Sequence, residues 1–310
     1  MVSRTAADAT VVPLRAGEPA CGAAGGEVAA RANALVAHRI YALELASPEV
    51  GSDRRQITGY QPLLSALAAG NRAGVQEAVT SLVYSHTHVV RLRVSKGQSV
   101  LADVGGPYII APVSGTLRLG GRIIGSYVFS VQDDLGYVKL ERRYVGLPLI
   151  LRQGSRRIPL EGSLPQSAAG LPASGPVSYQ GTTYEAISFD AEAFPASTLR
   201  VTLLVPQPSA KAGCLAIHVS ELGRIGRRIW GRFSAVGAPP SAYVTAIRGF
   251  NGALAYVRTG GHQLAGATTP GPAHIPASGT ILYRGHTYAV SSFASHVGGT
   301  GVRVYQLIVP

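Results

Sequence analysis

Two arginines two residues apart, Arg91 and Arg93, lie in the strand-like run 88–94. On an extended strand that spacing puts both guanidiniums on one face, where either can grip a carboxylate through two parallel N–H bonds. Further on comes Asp103-Val-Gly-Gly-Pro-Tyr108, in which Asp103 offers an acceptor and Tyr108 a phenolic donor. The glycines between them let backbone come close to a bound molecule. Tyr127 and Ser130, on a later strand, point to opposite faces, so only one can line such a site, and Tyr127 is the candidate. Arg91, Arg93, Asp103, Tyr108 and Tyr127 together suit recognition of a small anionic molecule. The competing reading is a glycine-rich turn with a solvated aspartate and edge arginines.

Other constellations carry less chemistry. His86-Thr87-His88 would set two imidazoles on one strand face, but no carboxylate or cysteine stands nearby to complete a metal site. Ordinary histidines at the start of a strand are expected there, and no metal. Asp133 and Asp134 lack the spacing of a calcium loop, and an interdomain turn facing Arg142 and Arg143 is expected. Ser114-Gly115, Ser174-Gly175 and Ser278-Gly279 repeat, which suits a tight start to a strand better than a nucleophile. The sequence lacks GxSxG, a phosphate-binding loop, GxGxxG after a strand, HExxH and any Cys–His cluster, so neither an enzyme nor a cofactor is expected. Cys21 and Cys214 could pair in an oxidising compartment, a question left open by thiols so far apart in sequence.

The elements that must position these residues are written more than once. Pro172–Phe189 recurs 104 residues later as Pro276–Phe293, with 10 of 18 positions identical. Both copies run on without insertion to a Val-Pro pair, at Val205-Pro206 and Val309-Pro310. A weaker third copy keeps the P-x-S-G-x5-G frame from Pro112 to Gly121. Before each frame come a strand, a glycine turn and a second strand: 88–94 with Lys96-Gly97, Leu149–Arg152 with Gly154, and Leu254–Arg258 with Gly260-Gly261. Short turns join antiparallel neighbours, so each unit is a sheet of four or five strands. Apolar residues at three-to-four spacing predict helices over 28–45, over 62–85 with a break at Gly70-Asn71, and over 214–233. Asn71 is the expected cap of the second half of 62–85. On 214–233 an apolar face opposes Arg224, Arg227, Arg228 and Arg232; docking on the following sheet is expected in preference to anionic lipid.

With 310 residues and 46% apolar content, the chain has room for more than one core. Gly 38 and Pro 20 point to many turns and much strand. A net charge of +12 favours anionic partners, but the arginines are dispersed and no nucleic-acid motif is present, so nucleic acid is not expected. No apolar run reaches the 18 or so residues of a membrane helix. Residues 1–26 lack a signal peptide's apolar run and read as a disordered leader, or as what remains of a truncated or mis-assigned start.

In order and spacing, the helices, the strand–Gly–strand of 88–103 and the segment Ile109–Val131, with Pro112 and its Gly121–Gly125 hairpin, resemble a Cache domain. That is the PAS-like sensor fold displayed outside the membrane by bacterial signalling proteins. The resemblance covers roughly 28–135, and the later repeats resemble further PAS-like half sheets. It implies an α+β fold of tandem PAS/Cache-like modules, antiparallel sheets with flanking helices: a leader at 1–26, a Cache-like module at 27–136, a PAS-like repeat at 137–210, and a helix with a second such repeat at 211–310. The function it implies is non-enzymatic, extracytoplasmic sensing of a small anionic molecule by closure of the 103–111 loop, signalled through a membrane-bound or other partner protein. The alternative is a structural or protein-interaction module of the cell envelope, which a filled first core would favour.

Overall fold

The computed structural model describes residues 9–12, 18–86, 88–158, 171–179 and 181–310. It is an α+β fold with two antiparallel sheets flanked by helices, of six and nine strands. The larger divides into two parts joined by a single ladder pair and called the first and second sheets below, and the smaller is the third. After a short strand, β1 (Ala9–Val12), come helices α1 (Gly25–Leu45), α2 (Pro48–Gly59), α3 (Gln61–Ala68) and α4 (Arg72–Ser81). The break at Gly70 falls where expected, and the Asn71 side chain accepts the Gly74 N–H at 3.0 Å to cap α4. Helix α2 was not anticipated. Its sequence is charge-rich, and it starts because Ser47 caps it and Pro48, which has no N–H to lose, occupies its first turn.

The first sheet has β2 (Arg91–Lys96), β3 (Ser99–Gly105), β4 (Ile110–Leu119) and β5 (Arg122–Gln132), in the order β3-β2-β5-β4. Helices α2 to α4 cover one face, burying Ile57, Leu63, Leu67, Val75 and Val79 against Leu92, Val94, Leu117, Tyr127 and Phe129. All ten of these side chains are buried. Ser114-Gly115 sits in mid-strand, so only Gly175 and Gly279, both at positive φ, mark strand starts as the repeated frame suggested. Strand β4 begins earlier, with Ala111 in the left-handed region at φ 47° ahead of Pro112.

Helix α5 (Asp134–Tyr144) replaces the expected turn, because Asp133 caps it by accepting the Gly136 N–H. Arg142 and Arg143 lie in its last turn, at the favourable end of the helix dipole, and not opposite the aspartates. The second sheet follows with β6 (Leu149–Gln153), β7 (Arg156–Arg157), β8 (Ser174–Tyr179), β9 (Thr182–Ala193) and β10 (Ser197–Pro206). Then come α6 (Cys214–Ala235), α7 (Pro240–Asn251) and the third sheet: β11 (Leu254–Thr259), β12 (His262–Gly266), β13 (Gly279–Tyr283), β14 (His286–Val297) and β15 (Thr300–Ile308). The strand orders match, β8-β9-β10-β6-β7 and β13-β14-β15-β11-β12, with β1 added beside β13. The sequence repeat is therefore a repeat of topology.

It is not free of insertions, however. Phe189 faces Val201 across β9 and β10, whereas Phe293 faces Val304 across β14 and β15. The offset is thus 104 residues on one strand and 103 on the next. The β9–β10 turn holds three unpaired residues, 194 to 196, and the β14–β15 turn holds two. Identical residues therefore end on opposite faces: Leu203 packs in the core around α1, and Leu307 in a separate core with Tyr256 and Tyr283.

Helix α1, grouped by sequence with the first sheet, lies on β9 and β10 and along α6 and α7. It buries Val36, Ile40 and Tyr41 among Leu199, Val201 and Leu203. The end of the expected leader is ordered too: Cys21 and Cys214 form a disulfide, Cα to Cα 4.8 Å, that ties the approach to α1 to the start of α6. Helix α6 is docked as expected, with Ile217, Leu222, Ile225 and Ile229 buried. Its arginines serve the dock: Arg224 and Arg228 donate to the Val145 and Arg142 carbonyls at the end of α5, and Arg227 lies over the Phe293 ring. No helix among the described residues is long and apolar enough to cross a membrane.

Candidate functional site

Strands β2 and β3 bring three of the proposed residues together. Arg93 is directly opposite Asp103 in the ladder, and Arg91 follows on the same face. Arg91 holds the Asp103 carboxylate with Nε at 3.0 Å and Nη2 at 2.9 Å, while Arg93 reaches one of its oxygens with Nε at 3.0 Å and Nη2 at 2.7 Å. Burial alone would raise the Asp103 pKa, but the two guanidiniums hold it below the ordinary value. Both arginines also lie over the Phe194 ring, 4.3 and 5.3 Å from its centre. Tyr108 contributes its carbonyl, 3.4 Å from Arg91 Nη1, and not its phenol.

The bidentate edge on which an anionic ligand was expected is thus taken by Asp103. Tyr127 lies on the other face: it faces Val94 and is buried beside Phe129, ring centres 5.9 Å apart. Ser130 is the residue on the arginine side, and it donates to the Ile110 carbonyl. What the cluster joins is the two sheets. They share one ladder pair, Ile110 with Ala193, and the Phe194 N–H donates to the Ile109 carbonyl at 2.9 Å. The side chain of His86 and all of Thr87 lie outside the described residues; the His88 N–H donates to Asp53 Oδ1 at 3.2 Å. No group of three metal-ligating side chains occurs among the described residues.

A polar cavity is built instead on the outer face of the second sheet. It has a volume of about 410 Å³ and is lined by Arg152, Ser188, Asp190, Thr198, Arg200 and Thr202, with Leu171 and Ala173 at its rim. Alternation along β10 makes this face. Leu199, Val201 and Leu203 enter the core, which turns Thr198, Arg200 and Thr202 outward. Asp190, Arg200 and Arg152 form one row across three strands. Arg200 holds Asp190 with Nε at 2.9 Å and Nη2 at 3.2 Å, which keeps that carboxyl below its ordinary pKa. The Ser188 and Thr202 hydroxyls are bonded at 2.8 Å.

The equivalent row of the third sheet is Ala294, Arg303 and Arg258. There the segment between β12 and β13 lies over the arginines. Arg258 donates to the carbonyls of Pro272 and Ala273, and Arg303 to Ser292 Oγ at 3.3 Å. Both copies keep the arginine pair: in the third sheet backbone carbonyls meet Arg258, and in the second the pair lines the cavity, the corresponding segment 159–170 lying outside the described residues. The polar alternation of β10 and the matching of Arg152 with Arg258 were both visible in the sequence and went unused.

No protein-family profile matches the chain, and no curated protein sequence matches it. Solved structures do. An extracellular domain assigned to histidine kinase vpHK1S-Z8 aligns with 60% of this chain and 95% of its own length, at 11% identity and a TM-score of 0.35. The ligand-binding domain of the Pseudomonas fluorescens chemoreceptor CtaA, with L-alanine, covers 58% of this chain and 96% of its own length at 10% identity and a TM-score of 0.31. The periplasmic domain of Vibrio cholerae LuxQ covers 90% and 99%, at 11% identity and a TM-score of 0.19. The α+β fold, the cavity and its arginines are read from this chain alone.

Proposed function

We propose that the chain is a non-enzymatic, extracytoplasmic sensor module that binds a small anionic molecule in the cavity on its second sheet. The observation that carries this is the paired arginine row. Arg152 and Arg200 stand side by side across β6 and β10 and line the cavity with Asp190, Ser188 and two threonines. The described lining has two guanidiniums against one carboxylate, and its hydroxyls supply neutral donors and acceptors for the rest of a ligand. The volume suits a compact organic acid. The Cys21–Cys214 disulfide supports a compartment outside the reducing cytoplasm. The signalling partner is a membrane-bound or envelope protein.

The buried apolar core of the first sheet and the closure of Arg91 and Arg93 on Asp103 favour the second reading, a structural or protein-interaction module. One experiment separates them. Thermal shift against a panel of dicarboxylates, hydroxy acids and amino acids is followed by calorimetry of the best binder on wild type, Arg152→Gln and Arg200→Gln. The sensor reading expects a binder whose affinity falls at least tenfold in both variants, with melting temperatures little changed. An absence of binders, or binding that both variants retain, overturns it.

A further inference from the structure

The β4–β5 hairpin runs past the rest of its sheet. Strand β5 last pairs with β2 at Ser126, opposite Ser95, while β4 and β5 stay paired to Leu119 and Arg122 around the Gly120-Gly121 turn. Residues 118–123 are all exposed. Cross-strand partners share a face, and the partners here are Leu119 with Arg122 and Arg118 with Ile123. Each face of the projecting ribbon therefore shows one aliphatic side chain beside one guanidinium, with Leu119 40% and Ile123 59% exposed. The segment 118–123 contains no acid, and Lys96 and the 40%-exposed Val100 stand at the neighbouring β2–β3 turn.

We propose that this hairpin docks the protein on an anionic membrane surface, with Leu119 and Ile123 entering the interface and Arg118 and Arg122 meeting lipid phosphates. Aliphatic tips flanked by arginine gain from both the apolar boundary and the surface potential of anionic lipid. A wholly polar partner would leave the aliphatic pair unexplained, and an apolar protein groove would leave the arginines unmatched. The net charge of +12 adds attraction to the same surface. The basic helix α6 does not compete for this role: Arg224 and Arg228 donate across the fold to α5 and Arg227 lies over Phe293, whereas Arg118 donates at 3.0 Å to the Gly121 carbonyl of its own exposed hairpin.

The test is cosedimentation of the full chain with vesicles of phosphatidylcholine, alone or with about a third phosphatidylserine. Wild type, Leu119→Ser with Ile123→Ser, Arg118→Gln with Arg122→Gln, and a control, Arg232→Gln with Arg248→Gln, are compared after circular dichroism confirms folding. The expected result is binding to the serine-containing vesicles only, reduced at least tenfold by either tip pair and less than twofold by the control. Three results would overturn the proposal: no binding by wild type, equal loss in tip and control variants, or a tip-dependent dimer by light scattering without vesicle binding.

Discussion

Glu141 on α5 is 1% exposed, with its carboxylate shut away from water. Its neighbours are the equally buried Tyr137 hydroxyl and Glu44, a carboxylate whose own pKa is raised by burial. Burial pushes the Glu141 carboxyl from 4.5 up to about 8. Folding therefore favours the protonated acid. Below the unfolded value both states hold the proton and the stability is fully present; it is lost as pH rises towards the folded value. The slope is about 1.4 kcal/mol per pH unit between those limits, or about 5 kcal/mol in all. With about 2.1 cal/mol/K of unfolding entropy per residue over 310 residues, this corresponds to roughly 7 to 8 °C in melting temperature. The perturbation is Glu141→Gln, which keeps the shape and cannot ionise. Melting curves from pH 5 to 9 should fall with pH for wild type and run much flatter for the variant, the two diverging towards pH 8. Parallel curves would refute the reasoning, because the variant differs only in the group held responsible.

Two further outcomes are expected. Removing the Cys21–Cys214 link, by reductant or by Cys21→Ser with Cys214→Ser, opens a closure of 193 residues and should cost about 5 kcal/mol on chain-entropy grounds; denaturant titrations that superimpose with and without reductant would contradict this. Asp103→Asn leaves Arg91 and Arg93 over Phe194 without their shared carboxylate, and the loss should be about 2 kcal/mol, between exposed and buried ion pairs. Because the Asp103 pKa is lowered, its contribution is present above the unfolded value and disappears as pH falls through the folded one, so wild type and variant should converge in acid.

The sheets were legible because their turns are chemically distinctive: Gly97, Gly154 and Gly260-Gly261 join consecutive strands as the spacing required. The long helices were legible from periodicity. Helix α5 was hidden because one of its buried positions is Glu141, which no apolar pattern includes, and α7 because it starts at Pro240, within a Pro-Pro pair of the kind that ordinarily ends a helix. Pro240 is tolerated there for lack of any N–H partner in a first turn. At the site, the alternation of Arg91 and Arg93 foretold that these two would share a face. It could not foretell that Asp103 would claim both guanidiniums, since that depends on cross-strand register. The cavity was missed for a related reason: Asp190, Arg200 and Arg152 are distant in sequence and become one row only when β10 lies between β9 and β6.

The single additional residue in the β9–β10 turn has a genetic corollary. Two related stretches in one gene invite recombination, yet an exchange just after that turn, from Thr198 to Arg303 at the 104-residue offset, would put Arg303 where Leu199 packs in the core. Such a crossover would bury a guanidinium among apolar side chains, so the half that carries Phe194 against the first sheet and the half that does not are kept apart by geometry, however much of their spelling they share.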